Sequence, residues 1–115
     1  MKEKFLICGL GSIGKRHLEN LEYLGTPCEN ISIFRTGKGT KSFGDDVLKK
    51  HNNRHPVFFD IDEALRAKPT ATIISNPTSF HIFFAEKAVK NDSHIFIEKP
   101  LSDSLDGIDE LIEKV

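Results

Sequence analysis

Three glycines near the beginning of the chain have the spacing of a phosphate-binding loop. Gly9, Gly11 and Gly14 form a GxGxxG between an apolar run and a helical pattern. In that context the first glycine allows a tight turn, the second lets the backbone approach a pyrophosphate, and the third lets the helix pack closely on a sheet. The phosphates would lie at the positive end of that helix, against the N–H groups of residues such as Ser12 and Ile13. The alternative is an ordinary glycine-rich loop.

A basic loop follows the second apolar run. Arg35 ends that run, and Thr36 and Lys38 lie just after it. In dinucleotide folds that prefer NAD, an acidic residue about twenty positions after the glycines receives the ribose hydroxyls, whereas a nearby arginine accommodates the 2′-phosphate of NADP. No Asp or Glu stands between Glu29 and Asp45. The sequence therefore favours NADP over NAD, and the alternative is a solvated loop without a specific role.

A polar stretch follows the fourth apolar run. Ser75, Asn76 and Pro77 would lie beside the second half of a dinucleotide, where backbone and amide groups can contact ribose or diphosphate. His81 falls in the first turn of the next predicted helix, where we expect it to contact the cofactor. The alternative is a capped helix-entry turn followed by a packed, hydrogen-bonded structural histidine.

The fifth apolar run ends in Glu98, Lys99 and Pro100. A lysine beside a cofactor can move a proton or orient a substrate hydroxyl, because burial and neighbouring groups lower its pKa. Glu98 would bind the ribose or nicotinamide region, or hold Lys99 by its charge. The alternatives are a surface lysine and a structural ion pair.

The elements that must position these residues alternate along the chain. Strands are predicted at 5–8, 31–34, 57–59, 71–75 and 94–97, and helices at 12–24, 43–51, 61–67, 79–91 and from 104 onward. Strand–helix–strand crossovers are right-handed and make the strands parallel. The pattern predicts an α/β fold, a doubly wound parallel sheet with strand order 3-2-1-4-5 and helices on both faces. Ligands bind such sheets beyond the carboxyl ends of the strands, where all four candidate stretches fall.

Length and composition limit the possible partners. The 115 residues are expected to form one domain, which is short for an enzyme with separate cofactor and substrate domains. A net charge of −1 provides no field that would attract nucleic acid or an anionic membrane. The first residues contain too few apolar side chains for a signal peptide or a membrane span, so we expect a cytoplasmic protein. Cys8 and Cys28 have no metal-binding or redox spacing and are expected to be reduced thiols.

The segments GLGSIGKRH, SNPTSFH and EKPL, in this order and at this spacing, resemble the N-terminal domain of the Gfo/Idh/MocA oxidoreductase family. The resemblance covers essentially the whole chain. It implies a dehydrogenase that uses NAD or NADP on sugars, cyclitols or sugar derivatives, with a second domain, absent here, that carries most of the substrate pocket. It also implies that Lys99 is the proton-transfer lysine, and it matches His17 and His81 to family histidines. Members usually associate through the missing domain, so this chain could be a monomer or could form a homo-oligomer.

The sequence is compatible with three functions. The leading hypothesis is the cofactor half of a sugar-type dehydrogenase, inactive by itself. The first alternative is a non-catalytic nucleotide-binding regulator or scaffold of the same fold family, and Lys99 argues against it. The second is a methyltransferase-type domain that binds an adenosyl cofactor. Arg35 in place of an acidic residue, together with the EKP stretch, argues against that second alternative.

Overall fold

A computed structural model describes residues 3–35, 41–50, 54–75, 81–98 and 111–113, with side chains from residue 45 onward in the second of these ranges. Several residues of the predicted site lie outside this part of the chain, and their predicted roles stay predictions. They are Thr36, Lys38, Asn76, Pro77 and Lys99.

Strands and helices alternate throughout the described residues. In chain order they are β1 (Phe5–Cys8), α1 (Ser12–Tyr23), β2 (Ile31–Phe34), α2 (Lys41–Lys50), β3 (Val57–Phe58), α3 (Ile61–Arg66), β4 (Ala71–Ile74), α4 (His81–Lys90) and β5 (His94–Ile97). A 3-10 turn at Cys28–Asn30 precedes β2. The three residues 111–113 are also helical. The predicted alternation of strands and helices is confirmed, and the boundaries that can be compared differ by one or two residues. The predicted beginnings of the helices at 79 and 104 lie outside the described residues.

The five strands form one parallel sheet in the order β3-β2-β1-β4-β5. The strand β1 lies at its centre, where Ile7 pairs with Ile33 on one side and with Ile73 on the other. The predicted order is therefore confirmed. The switch point of the sheet lies between β1 and β4, which begin the two halves of the winding.

Apolar side chains of β1 point alternately into two cores, one on each face of the sheet. Leu6 and Cys8 belong to the core that is covered by α3 and α4. Ile7 belongs to the core on the other face, together with Leu18 of α1 and Val47 of α2. Helices therefore cover both faces, as the apolar runs predicted. Burial raises the pKa of the Cys8 thiol to about 12, so this thiol stays protonated at neutral pH.

The helix ends follow from local chemistry. Asp60 caps α3 by accepting the backbone N–H of Asp62 at 2.9 Å. The helix α1 ends before Gly25, whose φ of +95° suits glycine. Leu24, predicted as the last residue of this helix, is its cap residue instead and is 72% exposed. Among the described residues, no helix is long and apolar enough to cross a membrane.

Candidate functional site

Four residues of the predicted site come directly after four strands and form one edge of the sheet. Gly9, Arg35, Ser75 and Glu98 follow β1, β2, β4 and β5. Each donates its backbone N–H to a carbonyl of the neighbouring strand, so that the sheet ladder holds all four. The acceptors are the carbonyls of Phe34, Phe58, Cys8 and Ile74, at 3.0, 2.9, 3.0 and 3.1 Å. The predicted convergence at the carboxyl ends is thus present for these four residues.

The glycine loop has two glycines that the fold itself requires. Gly9 has a φ of +96°, a conformation that residues with a side chain rarely adopt. A Cβ atom on Gly14 would lie 2.1 Å from the carbonyl oxygen of Gly9 and 3.2 Å from the Oγ of Ser75. Close packing of α1 on the loop therefore excludes any side chain at position 14.

Gly11 differs from the other two glycines. Its φ of −90° and ψ of −160° are open to any residue, and a Cβ atom there would meet nothing within 4 Å. The described fold therefore gives no reason for a glycine at this position. A ligand that approaches the backbone closely would give one, because it would occupy the space of the Cβ atom.

Ser75, at the end of the neighbouring strand, forms hydrogen bonds to the backbone of the glycine loop. Its hydroxyl lies 3.0 Å from the carbonyl oxygen of Cys8 and 3.1 Å from that of Gly9, so that its proton is shared between the two carbonyls. These contacts face the loop backbone. Ser75 therefore holds the shape of the turn between β1 and α1.

The amino end of α1 offers backbone N–H groups at the same edge. Gly11 is the cap residue, so no cap side chain accepts the N–H groups of the first turn. Ser12 and Ile13, the first two helical residues, are both exposed. Free N–H groups and the positive end of the helix dipole attract anions, phosphates above all.

His17 and Glu98 join α1 to the end of β5. The Nε2 of His17 lies 2.5 Å from the Oε1 of Glu98, and the two side chains are 18% and 30% exposed. The His17 ring also meets the Phe96 ring edge-on, with centroids 5.3 Å apart. The resemblance matched His17 to a family histidine, and the sequence predicted either a binding role or a structural ion pair for Glu98. Neither predicted that the two residues pair with each other. The pair fixes the strand end from which Lys99 continues.

The exchanges His17→Gln and Glu98→Gln are expected to be non-additive in the free energy of unfolding. Each removes the charge or the ring of one partner in the same half-buried contact, so we expect a coupling energy of about 1 kcal/mol. Urea denaturation of both single variants and the double variant measures it. The matched control is the more exposed pair Lys87–Asp62, with Nζ and Oδ1 3.0 Å apart, where about 0.5 kcal/mol or less is expected. A coupling no larger than in the control would contradict a positioning role for the pair.

Arg35 is held by a partner that the sequence did not reveal. Its Nη1 lies 2.6 Å from the Oδ1 of Asp45, the fifth residue of α2. The Arg35 side chain is only 11% exposed, whereas that of Asp45 is 63% exposed. The guanidinium group is therefore ordered at the end of β2, with a carboxylate on its solvent side.

His81 is placed differently from the strand-end residues. It begins the described helix α4 and is 2% exposed, within the protein and not on its surface. Burial of this degree fits the alternative of a packed and hydrogen-bonded histidine. Its predicted contact with a cofactor stays a prediction.

The chain matches the sequence profile of the Gfo/Idh/MocA family, described as "Oxidoreductase family, NAD-binding Rossmann fold", over residues 3–115. It belongs to this family. The resemblance of the three motifs is thereby confirmed over nearly the whole chain. No significant match was found among curated protein sequences.

Solved structures agree with the Gfo/Idh/MocA assignment. UDP-N-acetylglucosamine 3-dehydrogenase GnnA from Acidithiobacillus ferrooxidans is 25% identical, with a TM-score of 0.76 over 96% of this chain and 34% of its own. Scyllo-inositol dehydrogenase from Lactobacillus casei is 26% identical, with a TM-score of 0.74 over 97% and 32%. WlbA dehydrogenase from Bordetella pertussis, solved with NADH and UDP-GlcNAcA, has the same fold at 19% identity and a TM-score of 0.79 over 99% and 34%. The chain thus spans about a third of these proteins.

Proposed function

We propose that this chain is the cofactor half of a dehydrogenase that transfers a hydride between NAD(P) and a sugar, cyclitol or sugar derivative. The observation that carries the proposal is the open space over Gly11, in a loop whose other two glycines are required by the fold. Similarity to an enzyme named as a UDP-N-acetylglucosamine 3-dehydrogenase and to one named as a scyllo-inositol dehydrogenase supports the substrate class.

The residues at the strand ends fit a dinucleotide. The N–H groups at the beginning of α1 would hold the diphosphate, and Gly11 would let it approach the backbone. Gly9, Gly14 and Ser75 would keep the loop in shape, through the close contact and the hydroxyl hydrogen bonds described above. Asn76 and Pro77, which follow Ser75 in the sequence, are proposed to contact ribose or diphosphate through backbone and amide groups.

A bound nicotinamide would supply the hydride chemistry, and the chain would supply orientation and proton transfer. Lys99 is the proposed proton-transfer residue, because it stands in the EKP stretch whose resemblance to the family implies this role. The contact between Glu98 and His17 anchors that strand end to α1. Residues 1–115 form the proposed cofactor domain, and a second domain would complete the substrate pocket. A cytoplasmic location also stays a prediction.

We infer further that the protein prefers NADP to NAD. Arg35 lies at the end of β2, next to the proposed adenosine end of the site, and a 2′-phosphate offers it a doubly charged partner. Thr36 and Lys38 follow in the sequence and would add a hydroxyl and a second cation. The Asp45 carboxylate already binds the guanidinium group of Arg35. The phosphate must therefore displace this carboxylate or share the guanidinium group with it.

The function is tested by titrating the protein with NADH and NADPH, following the fluorescence of the reduced nicotinamide. We expect saturation below about 1 mM, in the range of ordinary cofactor and substrate affinities. Calorimetric titration with S-adenosylmethionine is the control, and no heat of binding is expected. Binding of that compound without binding of either dinucleotide would favour the methyltransferase-type alternative. Dinucleotide binding by the full-length protein without oxidation of any sugar or cyclitol would favour the non-catalytic regulator.

A further inference from the structure

Three side chains with metal-binding atoms meet at the opposite end of the sheet from the dinucleotide site. Glu22 belongs to the last turn of α1, Cys28 to the 3-10 turn before β2, and His55 to the segment before β3. Because β2 begins at Ile31 and β3 at Val57, the cluster lies at the amino ends of these strands. The proposed dehydrogenase function makes no use of it.

Two of the three pairs of ligand atoms already lie close to the spacing of a tetrahedral metal site. The Oε2 of Glu22 is 3.1 Å from the Nε2 of His55 and 3.4 Å from the Sγ of Cys28. All three ligand atoms fall within 4.8 Å of one another. Ordinary zinc bond lengths separate neighbouring ligand atoms by about 3.3–3.6 Å in a tetrahedron. A cation would therefore require shifts of only a few tenths of an ångström at the two measured edges.

The His55 ring is oriented as metal-binding histidines usually are. Its side chain is fully buried, and its Nδ1 lies 3.3 Å from the backbone carbonyl oxygen of Cys28. In the metal-free protein an Nε2–H can donate to the Oε2 of Glu22. With a cation bound, the tautomer that donates from Nδ1 to the carbonyl would leave the Nε2 lone pair for the metal. A backbone carbonyl on the second ring nitrogen is the common outer contact of a metal-ligating histidine.

The set of donor atoms indicates which ion would bind. Thiolate, imidazole and carboxylate together suit Zn²⁺, whereas Mg²⁺ and Ca²⁺ prefer oxygen ligands alone. The Glu22 side chain is 22% exposed, so a water molecule can reach the fourth position. Burial, a hydrogen bond to Glu22 and the charge of Glu22 raise the pKa of Cys28, and the charge of Arg54 opposes them. A cation would take the place of the thiol proton that Cys28 now donates to Glu22 in a hydrogen bond.

We propose that Glu22, Cys28 and His55 form a Zn²⁺ site that ties the end of α1 to the beginnings of β2 and β3. The site is structural, because it lies at the end of the sheet opposite the proposed cofactor. Its three ligands come from three separate segments, so the metal would hold together a part of the fold where β3 has only two residues. The proposal is independent of the proposed dehydrogenase function.

Cobalt binding to the metal-free protein tests the site. Co²⁺ is expected to bind one per chain with a near-ultraviolet sulfur-to-cobalt band, and Zn²⁺ is expected to displace it with a dissociation constant below about 1 μM. In Cys28→Ser the sulfur band should vanish, and in Glu22→Gln the Zn²⁺ affinity should fall by about tenfold or more. The controls are Cys8→Ala, which removes the other thiol, and His94→Ala, which removes an exposed imidazole. Neither control should change the spectrum.

Thermal unfolding is a second, independent test of the Zn²⁺ site. Zn²⁺ should raise the unfolding midpoint of the wild-type protein and of both controls, and a chelator should reverse the rise. His55→Ala should lose the Zn²⁺ effect, and if this variant does not fold, Glu22→Gln serves in its place, with a smaller rise than the wild-type protein at the same Zn²⁺ concentration. A sulfur band that persists in Cys28→Ser, or a wild-type midpoint that Zn²⁺ leaves unchanged, would show that the three residues form a hydrogen-bonded network only. Titration with NADPH in the presence of the chelator should be unchanged.

Discussion

Replacement of Arg35 by Asp is expected to reverse the cofactor preference of the protein. We expect the wild-type protein to bind NADPH about tenfold more tightly than NADH, and Arg35→Asp to bind NADH more tightly than NADPH. A charge-assisted hydrogen bond between guanidinium and phosphate contributes about 1.5–3 kcal/mol, which corresponds to a factor of ten or more in affinity. An aspartate at the same position would repel the phosphate and accept the ribose hydroxyls of NAD.

The contact of Asp45 with Arg35 is expected to weaken NADPH binding. The carboxylate lies 2.6 Å from the guanidinium and must share it with an incoming phosphate. Asp45→Asn removes the competing charge, and we therefore expect about threefold or more tighter NADPH binding with NADH affinity nearly unchanged. The selectivity of the site would then depend on Asp45 as well as on Arg35.

Calorimetric titration of each variant with NADPH and NADH measures both effects. The matched control is Asp62→Asn, which breaks the ion pair between Asp62 and Lys87, in α3 and α4, away from the proposed site. It should leave both affinities at the wild-type values. Equal affinities of the wild-type protein for the two cofactors would contradict the inferred preference. An Asp45→Asn variant that binds NADPH no better would show that the carboxylate does not compete.

The architecture could be predicted because its determinants are local. Short apolar runs such as Ile31–Phe34 and Ala71–Ile74 predict buried strands, and the helical patterns between them force parallel connections. Once the strand order is known, the residue after each strand must lie at the carboxyl edge. Gly9 and Ser75 could therefore be placed in the site from the sequence alone.

The side-chain partners within the site could not be predicted. His17 and Glu98 are 81 positions apart, and Arg35 and Asp45 belong to different elements. Long charged side chains reach many neighbours, so their partners depend on how α1 and α2 lie on the sheet. Sequence spacing contains no signal for either pair.

The cluster of Glu22, Cys28 and His55 was missed for a related reason. Metal motifs are recognised when the ligands recur at short fixed intervals, and the two cysteines of this chain do not. Cys28 and His55 are brought together because β2 and β3 are neighbours in the sheet, so that the segments before them enter it side by side. Only the fold brings the three residues into contact.

Gly11→Ala and Gly14→Ala are expected to impair the protein in different ways. A Cβ atom at position 14 would lie 2.1 Å from the carbonyl oxygen of Gly9. Neither backbone can yield without moving α1 off the sheet, so we expect Gly14→Ala to lower the free energy of unfolding by about 3 kcal/mol or more. The loss of cofactor binding in this variant would follow from the loss of the loop.

At position 11 the expected result is the opposite, a stable protein that binds its cofactor poorly. The added Cβ atom meets nothing within 4 Å, and a cap residue changed from glycine to alanine lowers helix stability by about 1 kcal/mol or less. The methyl group would stand where the diphosphate must approach the backbone, so we expect NADPH and NADH affinities to fall together by about tenfold or more. The ratio of the two affinities should not change, since Arg35 is untouched.

Urea denaturation and fluorescence titration of the two variants separate the two effects. Gly25→Ala is the control, because Gly25 has a φ of +95° with open space around it and lies at the far end of α1. It should lower stability by about 1 kcal/mol through backbone strain alone and leave cofactor affinity unchanged. Wild-type affinity in Gly11→Ala would mean that no ligand lies against this loop, and the proposed dinucleotide site would fail with it.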